Sequence, residues 1–205
     1  MPRLALLLAL LLTAGCTGSP DTRGPFPAGA DLVREAATSF ASVRSVRFAA
    51  GVNGVLPGFP LRQIEGDATL GDGGTATGTA DVQDGDGHTK FPFAVRDGQD
   101  SLPDEYRVSA FLGPQGALKR LLEGMTDAKT EGRENVDGAP ALRVAGRVPA
   151  TVAHSVLPPI DADLNVKVWV SDALPRRFVR LWVQIPPPDN HLSPVMIELS
   201  LTEQR

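Results

Sequence analysis

The chain has 205 residues and a formal net charge of −4 at pH 7, from 20 basic and 24 acidic side chains. A mildly acidic chain without a basic run disfavours nucleic acid as a partner, and also electrostatic adhesion to anionic lipid. The single cysteine excludes a disulfide framework and a thiolate metal site within one chain. The length suits one domain with a substantial core.

Residues 1–15 have the layout of a secretory signal. Arg3 supplies one positive charge, and a run of leucine and alanine then continues to Leu12. The small residues Ala14 and Gly15 stand directly before Cys16, the only cysteine of the chain. The apolar run is too short to span a bilayer, so the segment predicts secretion rather than a membrane helix.

The residues around Cys16 resemble the bacterial lipobox, in which the thiol is diacylated and the signal is cut before the cysteine. Thr13 departs from this pattern, which prefers leucine there. The resemblance implies lipidation of Cys16; the alternative is an ordinary free thiol. We therefore expect a signal peptide at 1–15, a lipidated N-terminus and flexible tether at 16–29, and one domain at 30–205.

Hydrophobic periodicity in the first half of the domain predicts one helix followed by a run of strands. Apolar residues three and four apart, from Leu32 to Val43, indicate a helix over residues 30–43. The period then changes to two, and short turns separate the alternating runs, so the strands are predicted to pair antiparallel. These strands cover residues 45–53, 61–70, 75–82 and 88–96, and a fifth is expected near 106–110.

The second half predicts two more helices and five strands. An apolar stripe that includes Leu118, Leu121 and Leu122 follows Pro114, and a short helix follows Pro149. The alternating runs cover residues 130–136, 141–148, 164–171, 179–185 and 195–202. The whole is a mostly antiparallel α+β domain. Because almost every strand alternates, one face of the sheet is apolar, and three helices are the elements that can cover it.

The residue types that carry catalysis do not form a motif. His88, His154 and His191 occur in unrelated contexts, and their spacing predicts neither a catalytic trio nor a metal site. Ser155 lies beside His154 but outside any G-x-S-x-G motif. We therefore expect a protein that is not an enzyme and that has no cofactor and no bound metal.

Two features leave alternatives open. The oxygen ligands of Asp81, Asp84 and Asp86 near His88 suggest a calcium loop, but the acidic residue that an EF-hand needs at its twelfth position is absent, which favours a tight Asp-Gly turn. Trp169 and Trp182 fall among polar residues of their strands. They either cover the outer surface of the sheet or form a patch for a partner.

Several short segments resemble the LppX/LprA/LprF/LprG lipoproteins of actinobacteria. In the first half the segments are SVRF at 45–48, VNG at 52–54, PG at 57–58 and GD at 66–67. In the second half they are DAK at 127–129, EGR at 131–133, Gly138, RVAGRV at 143–148 and VWV at 168–170. Together with the lipobox they extend over most of the mature chain.

The resemblance implies a strongly curved antiparallel half-barrel, like the periplasmic lipoprotein carriers LolA and LolB, with about three helices on its concave side. Between sheet and helices such proteins keep an apolar cavity for the acyl chains of a lipid or glycolipid. Members of the family bind triacylated glycolipids and help move them from plasma membrane to outer envelope, in one case with a membrane efflux transporter. This chain departs from its relatives at 97–124, which looks shorter and poorer in aromatic residues.

The leading hypothesis is a lipid carrier, anchored to the extracytoplasmic face of the cell membrane, monomeric and non-enzymatic. Its expected cavity lining combines strand and helix residues: Phe40, Val46, Phe48, Ala50, Val52, Leu118, Leu121 and Val156. The second hypothesis is a scaffold lipoprotein with a closed core, which contacts a transporter or envelope polymer through Trp169 and Trp182. The third, an enzyme acting on envelope lipid, lacks a visible acid, base or nucleophile.

Overall fold

The fold is one antiparallel sheet with helices on one face. The computed structural model describes residues 24–71, 74–85, 87–96, 99–100, 108–113, 115–187, 189 and 191–205. The predicted signal peptide, the lipidation site at Cys16 and Tyr106 of the predicted fifth strand lie outside these residues, as do Asp86 and Pro114.

Ten strands form the sheet within the described residues. They are β1 (Ser45–Asn53), β2 (Leu61–Thr69), β3 (Ala76–Asp84), β4 (Gly87–Arg96), β5 (Gln99–Asp100), β6 (Thr126–Val136), β7 (Ala139–Val148), β8 (Leu164–Ser171), β9 (Phe178–Ile185) and β10 (Val195–Thr202). Their order across the sheet is β5-β4-β3-β2-β1-β10-β9-β8-β7-β6. The helices are α1 (Gly29–Phe40), α2 (Val108–Leu112), α3 (Ala117–Glu123) and α4 (Ala150–Val156).

The two halves of the chain join in the middle of the sheet, where the first strand pairs with the last. Phe48 lies opposite Leu201, and Ala50 lies opposite Leu199. Every other neighbouring pair in the sheet is consecutive along the chain, and all of them are antiparallel, although α4 lies between β7 and β8. The β1/β10 pair therefore unites two meanders, β1–β5 and β6–β10, into a single sheet.

Alternation decides which face of each strand is covered. On β8 the side chains of Leu164, Val166, Val168 and Val170 are buried, and their neighbours are half-buried or exposed. A strand with period-two burial has one face against the core. The prediction of a curved antiparallel sheet whose one apolar face is covered by helices is confirmed.

The predicted strand near residues 106–110 is wrong, because residues 108–112 form α2. Val108, Phe111 and Leu112 stand at the i, i+3 and i+4 spacing of one helix face, which fits this outcome better than alternation does. The strand predicted to begin at residue 130 begins at Thr126 instead. Two irregularities in its register with β7 break the alternation there, which is why the pattern did not reveal its start.

The helices divide the concave face unequally. α1 is the longest, with Leu32, Val33, Ala36 and Phe40 buried, and it contacts β6, β7, β8 and β9. α3 contacts α1, α2 and α4. One half of the sheet is thus packed directly against α1, and the centre of the sheet is covered by a group of shorter helices that contact one another. No helix among the described residues combines the length and apolarity needed to cross a membrane.

A pair of glycines lets β2 and β3 approach closely. Gly66 and Gly78 are direct partners across the two strands. A Cβ atom on Gly66 would overlap the carbonyl oxygen of Thr77, and one on Gly78 would overlap that of Glu65. Both obstacles are backbone atoms, which cannot move aside without a shift of a whole strand.

We predict that Gly78→Ala lowers the free energy of unfolding by about 1–3 kcal/mol, the usual cost of forcing atoms into a filled site. Gly132→Ala is the matched control, because Gly132 also lies in a strand but a Cβ there meets nothing within 4 Å. Urea unfolding followed by circular dichroism measures both variants. Equal stability of the two variants would contradict the close approach of β2 and β3.

Candidate functional site

An apolar cavity lies between the middle strands of the sheet and the short helices. The 21 described residues that line it all have apolar side chains. The strand side comes from β1, β2, β8, β9 and β10, with Phe59 from the loop before β2, and the helix side comes from α2, α3 and α4. A surface of this kind offers no acid, base or metal ligand and can interact with a ligand only through apolar contact.

The cavity is narrow in this structure. Its internal volume is about 100 Å³. All the space not filled by atoms, including the part open to solvent, amounts to about 940 Å³. Pockets that bury a small organic molecule usually measure about 300–1,000 Å³. The cavity in this structure is therefore smaller than such pockets usually are.

Six of the eight residues expected to line a cavity do lie on its wall. They are Phe48, Ala50, Val52, Leu118, Leu121 and Val156. Phe40 and Val46 do not, although both are buried, at 6% and 2% exposure. Phe40 ends α1 and borders a separate hollow, and Val46 stands near the start of β1, beyond the end of the cavity.

Sequence reasoning missed the lining residues of the last two strands and of α2. Leu181, Val183, Ile197 and Leu199 face the cavity because β9 and β10 stand beside β1 in the sheet. Their alternation was visible in the sequence and assigned them to an apolar face. That this face belongs to the cavity follows from the β1/β10 pairing, for which no local pattern is a signal.

The exposed edge of the cavity lies at α2 and α4. Phe111 of α2 and Val156 of α4 line it and are half-buried, as is Leu157. The α3 residues Leu118 and Leu121 are 2% and 9% exposed. The helix layer is thus tight at α3 and looser at its two flanks.

A second hollow of similar volume lies at the end of the sheet where α1 stops. It measures about 110 Å³ and is bordered by residues that include Phe40, Arg44, Leu70 and Lys119. Leu112 lines both this hollow and the main cavity and is 2% exposed. Leu112 is thus the residue that the linings of the two spaces share among the described residues.

The two tryptophans lie on the outer, convex face and have polar partners. The Trp169 indole N–H donates a hydrogen bond to Glu134 Oε1. The ring of Trp182 lies below the Lys167 ammonium, 5.7 Å from its Nζ. Both indoles are half-buried, so their apolar area is partly covered by these neighbours.

Cross-strand ion pairs surround the tryptophans on the convex face. Arg143 Nε lies 2.8 Å from Glu131 Oε2, and Arg180 Nε lies 3.2 Å from Glu198 Oε1. Further along the same face, the hydrogen bond and charge of Asp67 are the main causes that raise the pKa of Arg47, with Glu203 adding to the effect. This face is a solvated, charged surface, remote in character from the apolar concave side.

The residues considered for metal binding or catalysis do not assemble into a site. His88 Nδ1 lies 3.4 Å from Asp81 Oδ1, while Asp86 of the proposed calcium loop is outside the described residues. His154 is on α4, and the His191 N–H donates to Asp189 in the loop before β10. Over the described part of the chain, no group of three or more His, Cys, Asp and Glu could hold a metal ion.

The fold and the cavity together define a class of protein, namely curved antiparallel sheets that carry helices over an apolar concave face. A sequence model of the LppX_LprAFG lipoproteins matches residues 28–205. The chain belongs to this family, as its short segments predicted.

Two curated relatives illustrate the similarity. The lipoarabinomannan carrier protein LprG of Mycolicibacterium smegmatis is 32% identical over an alignment 185 residues long, gaps included. The alignment covers 82% of this chain and 78% of the relative. The lipoarabinomannan carrier protein LprG of Mycobacterium leprae is 28% identical over an alignment 221 residues long, gaps included. The alignment covers 98% of this chain and 91% of the relative.

Two crystal structures share the fold at low sequence identity. LprF from Mycobacterium bovis superposes with a TM-score of 0.67 at 20% identity, covering 86% of this chain and 92% of that one. LppX from Mycobacterium tuberculosis superposes with a TM-score of 0.66 at 18% identity, covering 85% and 93%. The architecture of sheet and helices is thus common to the family.

We predict that Leu118→Ala lowers the free energy of unfolding by about 2–5 kcal/mol, because it removes a buried side chain from the best-packed helix of the cavity wall. Leu192→Ala is the control, since Leu192 is 57% exposed, and a surface truncation of this kind costs about 0.5 kcal/mol or less. Guanidinium unfolding of the two variants gives the comparison. A small loss in Leu118→Ala would mean that α3 does not pack as described.

Proposed function

We propose that this protein is a lipid carrier that holds acyl chains in its apolar cavity and assists their transfer from plasma membrane to cell envelope. The observation that carries the proposal is the wholly apolar lining of a cavity between sheet and helices. Acyl chains leave water there, at a gain of about 25 cal/mol for each Å² of apolar surface removed from it. Contacts of this kind have no direction, so one cavity can accept several related lipids.

The names of the relatives support a cargo class. Two proteins at 32% and 28% identity are named lipoarabinomannan carriers. By analogy, the cargo of this chain is an acylated lipid or glycolipid, with its acyl chains between sheet and helices and its polar head at the rim near α2 and α4. Binding and release are the whole of the proposed activity, and no catalytic step belongs to it.

The narrow cavity sets a mechanical requirement for this function. A volume of about 100 Å³ is too small for a complete acyl chain. Loading therefore needs the short helices to move outward, and we expect the flanks α2 and α4 to move, because Phe111, Val156 and Leu157 are half-buried there. An acyl chain that enters replaces apolar helix contacts with apolar ligand contacts, so the net cost of opening is partly offset.

The anchor completes the proposal. Acylation of Cys16 after removal of residues 1–15 would hold the monomeric domain at the extracytoplasmic face of the membrane, since two or three chains at roughly 0.8 kcal/mol per buried CH₂ bind almost permanently. The protein would thus stay where its cargo is synthesised. Onward transfer then requires a partner, for which a membrane efflux transporter is the expected class.

A second candidate function is a scaffold lipoprotein with a closed core. The cavity volume of about 100 Å³ favours this scaffold function, because a core without room for an acyl chain offers no site for a lipid cargo. Its contact surface would be the convex face around Trp169 and Trp182. Both indoles already have partners in Glu134 and Lys167, so a protein bound there would compete with existing interactions.

We predict that Ala50→Trp reduces the affinity for added lipid about tenfold or more, because the indole fills a cavity of about 100 Å³. Ala49→Trp is the matched control: it is the adjacent residue of β1 and lies exposed on the opposite face. Titration with a fluorescent fatty acid measures the binding. Thermal unfolding checks that both variants are folded.

The carrier and scaffold functions predict different results for lipid bound in the cell. A carrier purified without detergent releases lipid into organic solvent, which mass spectrometry identifies, and Ala50→Trp contains less than Ala49→Trp. A scaffold yields no stoichiometric lipid in any variant. Equal lipid binding by the two tryptophan variants would show that lipid does not bind in the cavity.

We predict that Cys16→Ser moves the protein from the membrane fraction to the soluble fraction and leaves lipid binding by the purified domain unchanged, because the described residues that line the cavity all lie between Phe48 and Leu199. Fractionation of cells and lipid titration measure the two properties separately. A variant that stays in the membrane fraction would contradict lipidation at this residue.

A further inference from the structure

The N-terminal residues of the folded domain are bound along the edge strand β6. Thr130 Oγ1 donates a 2.7 Å hydrogen bond to the carbonyl oxygen of Pro27. The Arg133 guanidinium lies 5.0 Å from the centroid of the Phe26 ring. The same side chain lies 3.5 Å from the carbonyl oxygen of Gly24. The chain therefore enters the fold next to Arg133, near the end of β6.

Arg133 also joins this point to the loop between β8 and β9. Its Nε lies 3.3 Å from Asp172 Oδ2, and Arg176 Nη1 lies 3.2 Å from Asp172 Oδ1. Arg176 Nε extends the network to Glu35 of α1, at 3.9 Å. The side chains of Arg133 and Arg176 are only 8% and 15% exposed. Paired and largely buried charges of this kind hold the loop in a fixed position beside the chain's point of emergence.

We call this end of the domain the proximal pole, defined by Gly24, Phe26 and residues 172–177. Leu174 stands at the tip of its loop with 79% of its surface exposed, and Phe26 is 43% exposed. The other two exposed large apolar residues of the described chain are Val55 and Leu192.

Val55 and Leu192 follow β1 and precede β10, at the opposite end of the antiparallel strands, which we call the distal pole. Each pole thus presents exposed apolar side chains. The position of the lipid anchor decides which of the two poles faces the membrane.

Seven residues separate Cys16 from Gly24, and fully extended they reach about 28 Å. A strand of eight residues is itself about 27 Å long, so the distal pole could reach the bilayer only with the tether stretched along the whole domain.

The charges of the proximal pole suit a lipid surface. Asp172 is paired with two arginines, and Glu203 lies 2.6 Å from Arg47. Arg177 is exposed; its Nη1 donates a hydrogen bond to the backbone carbonyl oxygen of Gln204, and none of the ion pairs between described residues includes it. An exposed leucine next to an exposed arginine combines apolar insertion with attraction to lipid phosphate, the pattern of interfacial anchors.

We propose that the proximal pole docks on the bilayer, with Leu174 inserted among the lipids and Arg177 at the headgroups. The proposal rests on the lipidation of Cys16 proposed above. It also sets the orientation of the cavity, because the hollow bordered by Arg44 and Leu70 lies at the same end of the sheet, where β1 starts and β2 ends. Docking brings this hollow to the membrane, and Leu112 lines both the hollow and the main cavity.

The first test uses the acylated mature protein in vesicles of equal parts phosphatidylcholine and phosphatidylglycerol that carry a lipid-borne quencher. Acylation occupies the thiol of the only native cysteine, so Leu174→Cys and Leu192→Cys each provide one site for an environment-sensitive dye. The dye at position 174 is expected to shift to shorter wavelength and to be quenched. The dye at position 192 is expected to behave as in water.

Two outcomes overturn the docking: quenching at position 192 instead of 174, or quenching at neither in vesicles that carry the protein. Both outcomes concern membrane docking and not cargo binding in the cavity, because Ala50→Trp tests lipid binding in a separate assay. Loss of cargo binding with normal quenching at 174 would therefore refute the carrier function alone.

The second test removes the anchor. With Cys16→Ser, partition of the domain into the same vesicles is expected to fall about tenfold or more with Leu174→Asp, because the loop no longer buries a leucine. Leu192→Asp is the control and is expected to leave partition unchanged. Equal partition of the two aspartate variants would show that Leu174 does not meet the bilayer.

Discussion

The structure depends on a wide apolar sheet face that its helices cover only in part. Ten strands at about 4.8 Å spacing make a sheet about 45 Å across, and the longest helix, α1, is 12 residues, or about 18 Å. α1 fills the concave face over β6–β9, where Val168, Val170 and Phe178 are completely buried. The centre of the sheet is left to helices of five to seven residues, which contact one another more than they contact the strands. The cavity is the space between that group and the sheet.

This division gives the domain a rigid half and an adaptable half. The rigid half contains the buried ion pairs of Arg133, Asp172 and Arg176, which tie the N-terminal segment, α1 and the β8–β9 loop together. The adaptable half contains the cavity, and most of its helix wall comes from short elements with apolar contacts that can be exchanged for others. The proposed carrier, held at a membrane by one end and admitting a ligand elsewhere, would benefit from this separation, because opening the cavity would leave the attachment unchanged.

The convex face has the opposite chemistry and a different role. Cross-strand pairs such as Arg143 with Glu131 and Arg180 with Glu198 keep it solvated. Exposed ion pairs of this kind add little to stability, but they make the outer surface unattractive to acyl chains. They also partly cover the two tryptophans that the sequence singled out as a possible contact surface. Apolar ligands are thus directed to the concave side, where the lining carries no polar side chain.

The sequence by itself determined the local structure. Alternation in β8, β9 and β10 and the helical stripe of Leu118, Leu121 and Leu122 set which side chains face the core, because strand and helix periods depend only on neighbouring residues. That six of the expected residues would line a cavity came from the resemblance to the family, because periodicity does not distinguish a filled core from a cavity. The tertiary structure alone decided that β1 pairs with β10 and that Phe40 and Val46 lie outside the cavity. Phe48 and Leu201 are far apart in the chain, so no short pattern contains their pairing. The cavity volume depends on how closely the helices pack against the sheet, and only the assembled fold defines that distance.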